Sequence, residues 1–264
     1  MILLDGKTLS EKILSNLSLE ISNLKPASPA GGLDISLDII IVGTDPSSQK
    51  YVSLKQQKAS EIGIGGQIHH LPETISESEL IKYVNHLNNN PSVTGFFIQL
   101  PLPKNIHKNI VLNSISPSKD ADGLSNNSEI TPAVVRGIIT LLDEYKLSFV
   151  NKNVVIINDS QLIGQPLKKI FENRHSIVSL CNDQTKNIGE ITKTADLLIS
   201  ATGVKNIVTV DMVKEGAVIV DAATGDIDYD SVSTIASYIT PTTGGVGPMT
   251  VASLLQNVVD LANR

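Results

Sequence analysis

Cysteine occurs once and tryptophan not at all in this chain of 264 residues. A single cysteine excludes an internal disulfide and any cysteine-rich metal site. Basic excess is missing too: 21 lysines and arginines against 27 acids leave a net charge of -6. Nucleic acid therefore finds no general electrostatic attraction here. No apolar run approaches the roughly 20 residues that a membrane span needs. Met1 to Leu4 is too short an apolar stretch before Asp5 to act as a signal peptide. These absences predict a soluble cytoplasmic protein with no metal, membrane or nucleic-acid partner. What is present, 41% hydrophobic and 18% charged residues, is ordinary globular composition. The length suits two modest domains.

Apolar spacing predicts a helix over 8–24, a breaker cluster at 25–32 and a strand over 37–42 buried on both faces. Asp45-Pro46 then opens a helix over about 47–62. A strand at 65–71, a helix at 73–88, a strand from Gly95 to about Leu100 and a helix at 106–114 follow. After a helix reaching Tyr145, strands are predicted at 154–157, 176–181, 196–200 and 217–221, and a last helix at 248–262. Alternating strands and helices predict parallel sheets flanked by helices, an α/β class.

Tyr51 and Lys55 are four residues apart and share one helix face. They would present a phenol and an amine at the mouth of a strand. A lysine acts as a base near neutrality only if its pKa is brought down, which burial and a suitable neighbour achieve. The plainer reading is a surface lysine on an ordinary helix. Gln99 precedes Pro101 and Pro103, which cannot continue a central strand. It therefore stands at a strand's carboxyl end, where open α/β sheets bind ligands; alternatively it is a structural hydrogen-bonder. The acids of Lys119-Asp120-Ala121-Asp122-Gly123 are turn formers on the simplest reading. Farther on, strand 154–157 leads into Asn158-Asp159-Ser160 and Gly164. That is a dinucleotide-binding pattern without the usual three glycines, with pyrophosphate expected on backbone N–H groups at the helix start. Cys181 reads as a buried strand residue.

Tyr51/Lys55, Gln99-Leu100-Pro101-Leu102-Pro103, Lys119-Asp120-x-Asp122-Gly123 and Gly244-Gly245-Val246-Gly247-Pro248-Met249-Thr250-Val251 occur in this order. Together they resemble the bifunctional methylenetetrahydrofolate dehydrogenase/methenyltetrahydrofolate cyclohydrolase family, over essentially the whole chain. The resemblance implies a folate-binding catalytic domain (1–140 plus 246–264) and a Rossmann-like nucleotide-binding domain (141–245), the C-terminal helix returning to the first. It implies that Tyr51 and Lys55 flank the reacting one-carbon unit, that Gln99 tunes Lys55 and that Asp122 holds the pterin. Leu100, Gly247 and Pro248 would complete the substrate side. Asn158, Asp159, Ser160, Gly164, Asp183, Thr202, Gly203, Gly244 and Gly245 would hold the nicotinamide dinucleotide. A homodimer, serving one-carbon metabolism and purine biosynthesis, and no metal, are also implied.

The departures from the family pattern fall mostly on the nucleotide side. Where members read Gly-Arg-Ser, this chain has Asn158-Asp159-Ser160; asparagine tolerates positive φ, so the turn is expected to survive. Where members carry histidine and then serine or arginine, it has Asn182-Asp183. Acids at 159 and 183 repel the 2′-phosphate of NADP and suit the free 2′-hydroxyl of NAD, so NAD is expected to be favoured. Asp159 capping the next helix, with Asp183 in a solvated turn, is the structural alternative. Three functions follow: the bifunctional enzyme, a cyclohydrolase with a degraded nucleotide site, or a non-catalytic folate- or nucleotide-binding module.

Overall fold

The computed structural model describes residues 1–24 and 35–264, so the breaker cluster at 25–32 lies outside the described residues. The chain opens with β1 (Ile2–Leu3) and α1 (Gly6–Leu24). It continues through β2 (Leu37–Val42), α2 (Pro46–Glu61), β3 (Ile68–Leu71), α3 (Glu77–Asn88), β4 (Gly95–Ile98), α4 (Lys108–Leu112) and α5 (Ala133–Glu144). The second half runs through β5 (Asn153–Ile157), α6 (Gly164–Asn173), β6 (Ile177–Cys181), α7 (Ile188–Thr192) and β7 (Leu197–Ser200). It closes with β8 (Val218–Asp221), α8 (Tyr229–Val232), β9 (Tyr238–Ile239) and α9 (Val246–Ala262). No helix among the described residues is long and apolar enough to cross a membrane.

The strands form two parallel sheets, one ordered β3-β2-β4 and the other β1-β9-β8-β7-β5-β6. In the small sheet β2 and β4 are buried along their whole length, as continuous apolar runs require. Asp38 is the polar exception in β2. Its carboxylate accepts the Gln67 N–H at 3.2 Å and pairs with His69 Nε2 at 2.7 Å, while the Tyr83 hydroxyl meets His69 Nδ1 at 2.8 Å. Helix α2 starts where the Asp45 side chain accepts the Ser48 N–H, with Pro46 in the first turn. Helix α3 begins at Glu77 rather than 73, because Ser76 and Glu79 form a capping box that fixes the start. The helix expected at 106–114 is only the five-residue α4.

Two compact units divide the chain: Met1–Glu11 with Val134–Ser253, and Lys12–Ala133 with Leu254–Arg264. Met1–Glu11 thus groups with the large sheet. The reason is pairing: Ile2 lies opposite Tyr238 and Leu3 opposite Ile239. Only the last part of α9 joins the small-sheet unit. There Asn257 Nδ2 donates to the carbonyls of Ala121 (3.0 Å) and Thr131 (3.2 Å), and Leu261 packs over Gly95.

Candidate active site

In the small-sheet unit, β4 ends at Ile98 and hands the chain to Gln99, while α2 carries Tyr51 and Lys55 on one face. Lys55 is 4% exposed. Its Nζ donates to Gln99 Oε1 at 3.3 Å, and Gln99 Nε2 donates to the Leu100 carbonyl at 2.7 Å. The second bond fixes the carboxamide so that its oxygen, not its nitrogen, faces the amine. Lys55 Nζ also lies 4.1 Å from the Phe97 ring centroid and 4.9 Å from that of Tyr51. Phe97 was not anticipated, although it sits two residues before Gln99 and so shares its strand face. The Leu100–Pro101 peptide is cis.

Competing influences act on the amine. Burial lowers the Lys55 pKa and the Asp122 charge raises it; burial dominates, so the net movement is downward. Tyr51 is pushed up to about 12, by burial first and then by the Asp122 charge. The phenol therefore stays protonated near neutrality and cannot serve as the base. Burial raises Asp122 as well, with Lys55 opposing and Asp120 reinforcing the rise. Tyr51, Lys55, Gln99 and Leu100 form one contiguous group, and Asp122 acts on it through its charge.

The two acids of the Lys119–Gly123 segment divide the work. Asp120 is fully buried and accepts the N–H groups of Gly123 (3.0 Å), Leu124 (3.3 Å) and Ser125 (2.8 Å). It is the turn former that the sequence suggested. Lys119 Nζ donates to the carbonyls of Asn90 and Val93, and residues 119–121 pair along β4 through Phe96. Gly123 has φ +71, and a Cβ there would fall 2.8 Å from the Ile130 carbonyl oxygen. This framework leaves Asp122 partly exposed beside the amine.

In the large-sheet unit, the β5–α6 turn is built around the Asn158 side chain. Its Nδ2 donates to the Ala201 carbonyl at 2.7 Å. Its Oδ1 accepts from the Ser160 N–H (2.9 Å), the Ser160 hydroxyl (2.6 Å) and the Gly164 N–H (3.2 Å). Asn158 does not adopt positive φ. The turn survives because the carboxamide ties it together, not through left-handed backbone. Several N–H groups at the helix start already have acceptors within the protein. Ile163 N–H goes to Ser160 Oγ, Gly164 N–H to Asn158, and Gln165 N–H to the Ser160 carbonyl. Among the described residues, the turn N–H groups of Gln161 and Leu162 have no protein partner. Gly164 must be glycine: a Cβ would lie 2.0 Å from the Asn158 carbonyl oxygen.

Asp159 is exposed and does not cap α6; its Oδ2 accepts from Asn182 Nδ2 at 2.9 Å. Asp183 is exposed in the turn after β6 and is not brought to Asp159 by a hydrogen bond. Cys181 ends β6 buried, its thiol pKa raised by burial. The Thr202–Gly203 turn is clamped by Asp226, which is fully buried. That carboxylate accepts the Ser200 hydroxyl (2.6 Å), the Thr202 N–H (2.7 Å) and hydroxyl (2.8 Å), and the Gly203 N–H (2.9 Å). Asp226 escaped sequence reading because its partners are more than 20 residues away. Gly244 accepts the Lys7 N–H at 2.7 Å, and a Cβ on Gly6 would lie 2.0 Å from the Gly245 carbonyl oxygen. Gly247 and Pro248 are in the first turn of α9, in this same unit.

The family model for the tetrahydrofolate dehydrogenase/cyclohydrolase catalytic domain matches residues 4–122, and that for its NAD(P)-binding domain matches 132–264. "Bifunctional protein FolD 2" of Lactobacillus johnsonii is 40% identical over 279 residues, covering 99% of this chain and 98% of its own. The crystal structure of the bifunctional FolD methylenetetrahydrofolate dehydrogenase/cyclohydrolase of Campylobacter jejuni aligns with a TM-score of 0.92 at 38% identity, covering 100% of this chain and 99% of its own. The Trypanosoma brucei methylenetetrahydrofolate dehydrogenase-cyclohydrolase, solved with NADP cofactor and inhibitor, aligns at 0.94 and 28%, covering 100% and 98%.

Proposed function

Because the chain belongs to the tetrahydrofolate dehydrogenase/cyclohydrolase family, we propose that it both oxidises methylenetetrahydrofolate with a nicotinamide dinucleotide and hydrolyses the methenyl product to formyltetrahydrofolate. The observation that carries this reading is the buried Lys55 amine, held by Gln99 beside Asp122. A pure binding module has no use for an amine so expensively desolvated. The small-sheet unit takes the folate and the large-sheet unit the dinucleotide.

For hydrolysis, the neutral Lys55 amine accepts a proton from water as the water oxygen bonds to the methenyl carbon. The ammonium then returns that proton to the departing ring nitrogen as the carbon–nitrogen bond breaks, and the proton left on the added oxygen is released to solvent as the formyl C=O forms. Gln99 Oε1 accepts from Nζ throughout and aims it, and the Phe97 and Tyr51 faces stabilise the transient charge. Asp122 accepts hydrogen bonds from the pterin amino and ring N–H groups, which suit a carboxylate.

The large-sheet unit fits a dinucleotide. Gly164 lets the start of α6 pack against the Asn158 backbone, the Gln161 and Leu162 N–H groups have no acceptor among the described residues, and nothing occupies the space where a Gly203 Cβ would stand. Gln161, Leu162 and Ser160 would hold the pyrophosphate at the positive end of α6, and Thr202 and Gly203 the nicotinamide side. When bound, the cofactor supplies the oxidising power of the dehydrogenase step. NAD is preferred over NADP, because one Asp159 oxygen stays available for a 2′-hydroxyl and repels a 2′-phosphate. The enzyme is a cytoplasmic homodimer in this reading, a state that light scattering tests. Ultraviolet assays with methylene- and methenyltetrahydrofolate, with and without each nucleotide, test the function. NAD is expected to exceed NADP by at least about tenfold in specificity, or roughly 1.4 kcal/mol. Preference for NADP refutes the nucleotide assignment; hydrolysis without any oxidation points to cyclohydrolase alone.

A further inference from the structure

The Asp159 carboxylate stands on the surface, just past the end of β5. An exposed aspartate ordinarily samples several rotamers, and ordering it costs entropy on binding. This one is restrained from the neighbouring strand. Ile157 and Cys181 are paired in register, so the residues following β5 and β6 emerge side by side. Asn182 is the first residue after β6, and its Nδ2 donates to Asp159 Oδ2 at 2.9 Å.

Asn182 is itself fixed. Its backbone N–H is accepted by Thr185 Oγ1 at 2.9 Å. Its Oδ1 accepts the Gln184 N–H at 3.0 Å and the Thr185 hydroxyl at 3.1 Å. The carboxamide cannot turn over, because Nδ2 in place of Oδ1 would face a backbone donor. Its N–H group therefore points at Asp159. One carboxylate oxygen is engaged, and Oδ1 is left as an acceptor. Asp183, one residue on, is exposed, and among the described residues no side-chain hydrogen bond restrains it.

We propose that Asn182 is a positioning residue for cofactor selection: it holds Asp159 so that a single oxygen meets the 2′-hydroxyl of the adenosine ribose. Asp159, not Asp183, is then the acid that discriminates between the dinucleotides. This rests on the NAD-preferring reading above and adds the device that orders its key residue.

Equilibrium binding of NAD and NADP by calorimetry, with steady-state oxidation alongside, tests it in four proteins: the parent, Asp159→Ala, Asn182→Asp and the double variant. Asn182→Asp is isosteric and keeps an oxygen to accept the Gln184 N–H, so the turn persists. Only the donor to Asp159 is lost, and a like charge replaces it. In this variant NAD affinity is expected to fall about tenfold, the scale of a hydrogen bond to a charged group. The loss appears in KM for NAD rather than in kcat, and NADP gains nothing. On the Asp159→Ala background the same change has no further effect on NAD, because Asn182 acts only through Asp159. Equal losses on both backgrounds, or no loss on the parent background, overturn the proposal while Asp159→Ala still weakens NAD. If Asp159→Ala leaves NAD binding untouched, the NAD-preferring reading fails at Asp159, and the role of Asn182 fails with it.

Discussion

Replacing Lys55 with methionine separates chemistry from packing. The methionine side chain occupies nearly the space of the lysine stem between Phe97 and Tyr51, so apolar contact is kept. What disappears is the amine and its 3.3 Å bond to Gln99. A general base contributes at least about 100-fold, so methenyltetrahydrofolate hydrolysis is expected to drop by that factor or more, about 2.7 kcal/mol. Stability moves in the opposite sense, and its sign follows from the lowered pKa. The unfolded chain protonates Lys55 with its ordinary value of 10.5, whereas the folded protein holds it lower. Between those two values the unfolded state binds more protons, so the parent gains stability as pH rises and carries its full penalty below that window. The variant has no such penalty. Its stability relative to the parent is therefore greatest toward neutral pH and shrinks as pH approaches 10.5. Loss of methenyl absorbance gives the rate, and thermal melts across pH give the stability difference. Hydrolysis within a factor of about three of the parent, under 1 kcal/mol, in a folded variant refutes the assignment.

Three further outcomes follow from the structure. Asp122→Ala is expected to weaken folate binding by roughly 1.5–3 kcal/mol, as for hydrogen bonds to charged groups; unchanged affinity by calorimetry counts against it. Because the Asp122 charge raises the Lys55 pKa, Asp122→Asn lets that pKa fall further and moves the acidic limb of the hydrolysis profile to lower pH, which a pH–rate series reads directly. Asp226→Ala strips acceptors from the Ser200 hydroxyl, both Thr202 donors and the Gly203 N–H. It is expected to cost about 3 kcal/mol or more in denaturant unfolding; a loss below about 1 kcal/mol would show the clamp to be dispensable.

Periodicity and punctuation made most of the elements legible in the sequence alone. The apolar run 37–42, the Asp45-Pro46 helix start and the prolines after Gln99 each declare local structure through neighbouring residues, and four motifs in order identify the family. What the sequence left open was set by partners distant in the chain. Strands β1 and β9 have two residues each, too short for any period; β9 exists because it pairs with β8 on one side and β1 on the other, and β1 because it pairs with β9. Asn158 looked like a tolerated substitute for glycine, yet the fold makes its carboxamide the centre of the turn. The two acids of Asp120-Ala121-Asp122 are equivalent on paper. Burial against Gly123, Leu124 and Ser125 N–H groups consumes one and leaves the other beside Lys55. The decisive case is Lys55 itself: spacing placed it on a helix face with Tyr51, but only the packing of Phe97, Gln99 and Tyr51 around Nζ desolvates the amine. A pKa is a property of the surroundings in three dimensions, and no residue type carries it alone.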